Sequence, residues 1–404
     1  MNAVATAAGR ADGDRAAGAG ASLAREWARL RADFWDLGML SWIPLLLYLL
    51  IWLIFSGAIA RDIPVAVIDQ DGSALSRQLT RWLDASPGVA VAATAADGPE
   101  AMRLLRQRRA YGFLLIPRGF ETDLLAGRNT SVNWFYNAQF SSHAGGLLRD
   151  VRTVASTLSA GVEMSARAKR GVSSVQAAQQ FEPIRARLVT LYNENTSYES
   201  FLTLALIPSM LQIFVVLAVV TTIGRELKDG TVPEWLAAAR GNWAGAVAAK
   251  LLFPLLAFSL QMLLFLLFFA VWRGWAVAGG MAALVPAMLL LVLAYLGVGV
   301  LLIGATLSLR NALSVTAFVT APAFAYAGQG FPLIGMPPLA RAWAEALPLT
   351  HYLQLQSRHW LAGAPWRDGV HDLLLLAGFA VGCGALGLLL LGKRANAPAA
   401  WGKS

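Results

Sequence analysis

Six long apolar runs without Asp, Glu, Lys, Arg or His constrain this 404-residue chain more than any other feature. They are 39–60, 201–223, 251–272, Met281 to about Ser308, about Ala312 to Ile334, and 373–392. A helix needs about 20 mostly apolar residues to cross the hydrocarbon core of a bilayer. The pattern predicts six transmembrane helices. The fifth, rich in Ala, Thr and Gly, carries the weakest signal. Composition agrees, because only 14% of residues are charged, against about 25% in soluble domains.

The first run ends in Ala58-Ile59-Ala60, which resembles a small-residue cleavage site. Its apolar stretch exceeds the roughly 7–15 residue core of a signal peptide. An uncleaved anchor is expected. Lys and Arg in short loops set orientation. Arg25, Arg29 and Arg31, then Arg225, Lys228, Arg240 and Lys250, then Arg310, then Lys393 and Arg394 fall on one side. That places both termini in the cytoplasm and segment 61–200 outside.

The formal net charge is +9. Many basic residues flank apolar runs, so the charge follows topology and nucleic acid is not an expected partner. Cys383 stands alone in an apolar run, which excludes an intrachain disulfide and a thiolate metal cluster. His143, His351, His359 and His371 show no metal-ligand spacing and read as loop or interface residues.

Residues 1–22 read as a disordered tail. Leu23, Trp27, Leu30 and Phe34 then share one helical face, so 23–38 is expected to lie along the membrane surface. Segment 61–200 alternates strand and helix signals and predicts an α/β domain. Strands are expected at "IPVAVIDQDG", "GVAVAATA", "YGFLLIP" and "SVNWFYN", with a last β-like piece at "RARLVTLYN". Helices are expected after Ser73, from Gly98 with Pro99 in its first turn, and over about 142–170. Asp69, Asp71 and Ser73 cluster at a strand end, where they suit either a cation or turn chemistry with a helix cap.

No charge lies within the runs, so proton- or ion-coupled transport lacks its usual groups. Gln212, Gln261 and Gln329 are the polar residues that could line a path or join helices. "GLLLLGKR", 387–394, imitates a phosphate-binding loop, but Arg394 stands where Ser or Thr must hold magnesium. The chain is therefore not expected to bind ATP by that route. "RELKDGTVPEW", 225–235, is a charged island in the 224–250 loop. Segment 335–372 mixes Trp, Leu, Arg and His around Pro337 and Pro348, which predicts re-entrant or interfacial helices. Gly378 and Gly382 form a GxxxG pair suited to close helix approach.

Three stretches resemble the ABC-2 type permease family of bacterial exporters, in the branch with a large periplasmic insertion. They are "VAVIDQDGSALSRQLTRWLDAS", "LVTLYNENTSYESFLTLALIPSML" and "GFPLIGMPPLARAWAEALPLTHYL". The family commonly shows Asn-Pro near Tyr192; here Asn193 is followed by Glu194. The resemblance implies an α-helical polytopic membrane protein of six spans with an inserted α/β extracytoplasmic domain over 61–200. Spans 2–6 then occupy 201–392, and 393–404 is a cytoplasmic tail. It implies an outer motif at Gly330, Phe331, Pro332, Pro337, Pro348 and His351. It also implies that Arg225, Glu226, Asp229, Gly230, Thr231 and Glu234 dock on a separate cytoplasmic ATPase, which binds ATP and magnesium.

A second permease chain, like or unlike, and a periplasmic adaptor are further implied partners in the bacterial inner membrane. The cargo would be a lipid, drug-like or other amphiphilic molecule, moved outward by alternating access. Reversing charge at Glu226 is expected to uncouple transport while leaving insertion intact. The competing reading is a membrane-anchored sensor or assembly protein whose outer domain binds a ligand. An intramembrane enzyme would lack ionisable groups in the spans.

Overall fold

The computed structural model describes residues 18, 20–57, 61–126, 128, 130–136, 141–169, 197, 199–397 and 401–402. Two compact units divide the chain. One combines residues up to Ser56 with those from Glu199 on, and the other runs Gly57–Tyr198.

The smaller unit holds strands β1 (Ile63–Asp69), β2 (Val89–Thr94), β3 (Gly112–Ile116) and β4 (Asn133–Tyr136) in the order β2-β1-β3-β4. β1 pairs parallel with β2 and β3, and β4 pairs antiparallel with β3. The strands fall on the four predicted stretches. The "RARLVTLYN" piece lies outside the described residues. Alternation along β1 sends Val65 and Val67 into one apolar cluster and Ala66 and Ile68 into another. Both sheet faces are thus covered, as a parallel strand requires. Helix α4 (Ala74–Asp84) contributes Leu79 and Leu83 to the first cluster. Helix α5 (Gly98–Arg106) contributes Ala101 and Leu104 to the second. The chain crosses from β1 to β2 and then back past β1 to β3, so crossovers of one hand put these helices on opposite faces. A short α6 (Phe120–Leu125), not foreseen, follows β3, and α7 (Ser141–Lys169) packs Leu147, Val151 and Leu158 beside α4.

The larger unit opens with α1 (20–32), α2 (Phe34–Leu40) and α3 (Trp42–Phe55). The interfacial helix expected over 23–38 is interrupted at Asp33. Its carboxylate accepts from the backbone N–H of Trp35 at 2.9 Å and Asp36 at 3.1 Å, capping α2. α2 and α3 bend by 46° at Ser41. Pro44 explains the weak point: it has no N–H for the carbonyl of Leu40. Gln261 donates its Nε2 to that carbonyl at 2.9 Å.

Next come α8 (Leu204–Lys228), α9 (Val232–Ala238), α10 (Trp243–Leu267), α11 (Met281–Thr306), α12 (Leu309–Thr320), α13 (Ala323–Tyr326), α14 (Pro338–Glu345), α15 (Pro348–Gln356) and α16 (Val370–Arg394). Among the described residues, four helices are long and apolar enough to cross a membrane, or five if the bent α2–α3 pair is one span. The fifth predicted run is not one helix. It breaks at Ala321 and Pro322 into α12 and α13. Twelve residues of α12 reach only about 18 Å, short of the roughly 30 Å core.

α8 and α11 form the buried centre, with Leu211, Val215 and Val219 of α8 and Leu291, Tyr295 and Ile303 of α11 fully covered. α16 lies against α11 through bare backbone. A Cβ on Gly297 would stand 2.8 Å from the Ala380 carbonyl, and one on Gly387 only 2.5 Å from the Leu301 nitrogen. The predicted GxxxG pair does not make this contact, since a Cβ on Gly378 or Gly382 would meet nothing within 4 Å.

Candidate functional site

The charged island is folded into the unit rather than hung from it. α8 runs through Arg225 and Glu226 and stops at Asp229. Gly230 adopts φ 71°, and the Thr231 N–H returns to the Glu226 carbonyl at 3.0 Å. This is a left-handed helix stop in which glycine avoids the Cβ penalty. The Thr231 hydroxyl also donates to the Glu226 carboxylate. The Gly-Thr pair therefore terminates a helix and secures its last acidic side chain.

Glu226 is only 3% exposed. Arg25 of α1 donates to both of its oxygens, at 2.7 and 2.9 Å. Lys250 of α10 sits 2.9 Å from it and 2.8 Å from Glu26 of α1. Thr222 of α8 donates to Glu26 at 2.7 Å. Arg29 pairs with Glu26 and with Asp36. Arg225 reaches Asp33 at 2.7 Å and Asp36 at 2.8 Å. Four cations (Arg25, Arg29, Arg225, Lys250) thus meet four anions (Glu26, Asp33, Asp36, Glu226), and the cluster is neutral.

Burial alone would raise the Glu26 carboxyl, but Arg29 and Lys250 beside it hold it below the ordinary value. The expected membrane-facing stripe of α1 is divided. Leu30 is buried, Trp27 stacks on Phe253 at 5.5 Å, and Phe34, already in α2, is exposed. Its polar side, with Arg25, Glu26 and Arg29, faces the ends of α8 and α10.

Glu226 is therefore buried within the cluster rather than presented outward. Its capacity is used by Arg25, Lys250 and Thr231. Arg225 is likewise committed to Asp33 and Asp36. What remains outward is Lys228, Asp229 and the outer side of α9, with Pro233, Glu234 and Ala237 exposed. The inner side of α9 is anchored by Val232 and Trp235, each about fully buried. Trp235 donates its Nε1 to the Ala246 carbonyl at 3.2 Å, meets Trp243 edge to face, and lies 5.2 Å from the Lys250 ammonium. α9 is thus tied to α10, and Lys250 ties both to α1 and α8.

The three glutamines act as links between segments. Gln212 donates to Thr320 O at 3.2 Å, at the end of α12, and Gln329 to Phe201 O at 3.2 Å. Gln261 serves the Leu40 carbonyl noted above. Gln356, unmarked in the sequence, donates at 2.7 Å to Leu204 O, the carbonyl that Pro208 leaves without its helical donor.

The outer-motif residues disperse. Gly330 and Phe331 are exposed, and Pro332 precedes a short turn. Pro337 caps α14, Pro348 opens α15, and His351 bonds Glu345 O at 2.8 Å through Nε2. Expected short helices do fill this segment. Two ion pairs not foreseen lie near it. Glu199, 1% exposed, receives Arg273 at 2.6 and 2.8 Å and Trp52 Nε1 at 2.7 Å. Arg358 pairs with buried Asp372.

In the smaller unit, Asp69 is spent on turn chemistry. It accepts from Asp71 N at 3.0 Å, Gly72 N at 2.9 Å and the Ser76 hydroxyl at 2.7 Å. Ser73 caps α4 through Ser76 N at 3.1 Å. Asp71 accepts from Glu121 N at 3.1 Å, at the start of α6. Ser73 and these backbone donors hold its carboxyl below the ordinary value.

The family model for the ABC-2 family transporter protein matches residues 34–389. The chain belongs to the ABC-2 transporter family. A comparison with curated proteins finds no match. As an ABC-2 transporter permease it is a multi-pass membrane protein whose family works with an ATPase subunit. Here α9 is a short helix, exposed on one side and held to α10 by Trp235 on the other.

Proposed function

We propose that this chain is the permease of an ATP-driven exporter in a bacterial inner membrane, and that the outer side of α9 receives the ATPase. The observation that carries this is the ion network. It locks α1, α8 and α10 together around Lys250, while Pro233, Glu234 and Ala237 stay exposed. Packed helices move as rigid bodies. A push on α9 is therefore passed through Trp235 and Lys250 to three segments at once. ATP and its magnesium bind the partner. Asp229 and Glu234 supply rim charge, which governs register and association rate more than affinity.

In this reading both termini are cytoplasmic and 61–200 lies outside. Six crossings result if α2–α3 form the first and α12–α13 with the following turn form the fifth. Two permease chains, alike or unlike, act together by alternating access. Lipid or another amphiphile is the cargo class that suits uncharged spans, and an adaptor outside is compatible with the domain's position in the chain.

Glu234→Lys is the direct test. It reverses an exposed charge that makes none of the network's ion pairs and acts on Arg25 only through space. We expect cargo export at limiting ATPase to fall by about five- to tenfold, with membrane insertion and unfolding temperature unchanged. Undiminished export at limiting ATPase would remove α9 from the docking role.

A further inference from the structure

Where α3 meets α10, a half-open cleft of about 150 Å³ is lined by Leu45, Leu49, Phe265 and Phe269, with Tyr48 and Gln261. A dry apolar cavity of about this size takes a benzene-sized group. This one is not wholly apolar. Tyr48 is 7% exposed and Gln261 4%, and both line the cleft. The Tyr48 hydroxyl has no partner among the described residues, and neither does the Gln261 carbonyl oxygen. The other end of the Gln261 amide is already bound to the Leu40 carbonyl at 2.9 Å, which fixes its orientation.

Such atoms are costly in hydrocarbon, where no water supplies a partner. A phenol hydroxyl donates, and an amide carbonyl accepts. A ligand group that both accepts and donates is complementary to these two atoms. A hydroxyl or a secondary amide does this, whereas an ester or ether only accepts. At one end of the cleft Trp52 bonds Glu199 at 2.7 Å, and Glu199 pairs with Arg273, giving a polar rim beside the apolar walls.

We propose that this cleft binds a single-chain amphiphile by a hydroxyl or amide group held between Tyr48 and Gln261, with its chain along Leu45, Leu49 and Phe265. The site needs only the membrane-spanning part of the exporter reading. Binding is measured without an ATPase, so its failure leaves the docking role of α9 standing.

The full chain is placed in phosphatidylcholine nanodiscs and photolabelled with a long-chain alcohol bearing a mid-chain diazirine. The methyl ether of the same probe is run in parallel. Labelled peptides are identified by mass spectrometry. The alcohol should mark α3 and α10 several-fold more than the ether. Tyr48→Phe removes only an unpaired hydroxyl. It should cut labelling by both probes about fivefold, since the ether oxygen also accepts from the phenol, as loss of one neutral hydrogen bond requires, and leave the alcohol ahead of the ether through Gln261. Leu49→Trp, which fills the cleft, should abolish both signals. Equal labelling by alcohol and ether in wild type and Tyr48→Phe would mean that any bilayer chain fills the space. Absence of label, with Leu49→Cys copies forming a disulfide dimer, would mean that a second copy covers it. Either result overturns the proposal.

Discussion

Lys250 decides the fate of the charged end of the bundle. It is buried between two carboxylates, 2.8 Å from Glu26 and 2.9 Å from Glu226, with Trp235 over its ammonium. Taking a charge out of water is repaid only when its partners are present. Lys250→Met would leave two buried carboxylates facing one another. We expect it to cost about 3–5 kcal/mol, read from chemical unfolding in detergent. An unchanged unfolding midpoint would mean that solvent reaches the network. The same burial changes what Glu226 is good for. It is a poor place to test docking, because any substitution there disturbs the fold first.

At the scale of elements, prolines and glutamines work in pairs. Pro208, within a continuous α8, has no N–H for the Leu204 carbonyl, and Gln356 of α15 donates to it at 2.7 Å. Gln356→Leu should cost about 1–3 kcal/mol by orphaning a buried acceptor. In a Pro208→Ala background, the new backbone N–H serves that carbonyl, so the same change should cost less than half as much. Equal costs in both backgrounds, measured by thermal unfolding, would break the pairing.

This helps explain which parts were legible. The strands of 63–136 follow from alternation, which is a local pattern. Arg25 meets Glu226 across 201 positions and Lys250 meets Glu26 across 224, and no one-dimensional period encodes such distances. The island's place between two apolar runs could be read. The commitment of its first two charges to α1 and α10 could not. The fifth run is two helices rather than one, and apolarity alone ignores the break that Pro322 imposes.

At the scale of the whole molecule, orientation and force entry are tested separately. In a Cys383→Ser background, Leu125→Cys should react with an impermeant maleimide on intact cells, because Leu125 is 60% exposed in the 57–198 unit. Ala237→Cys should react only after the membrane is opened. The reverse pattern would turn the topology over.

Force entry depends on a rigid join. α9 is tied to α10 by Trp235 and to α1 and α8 through Lys250, so an ATPase seated there moves the inner ends of the bundle together. A photoreactive phenylalanine derivative placed at Ala237 in cells, followed by mass spectrometry of the adduct, reports on this contact. An adduct with a nucleotide-hydrolysing subunit, lost when the reactive group is moved to buried Trp235, is expected. Adducts only with other proteins, or an ATPase adduct absent at Ala237 but present from the 57–198 unit, would contradict docking at α9.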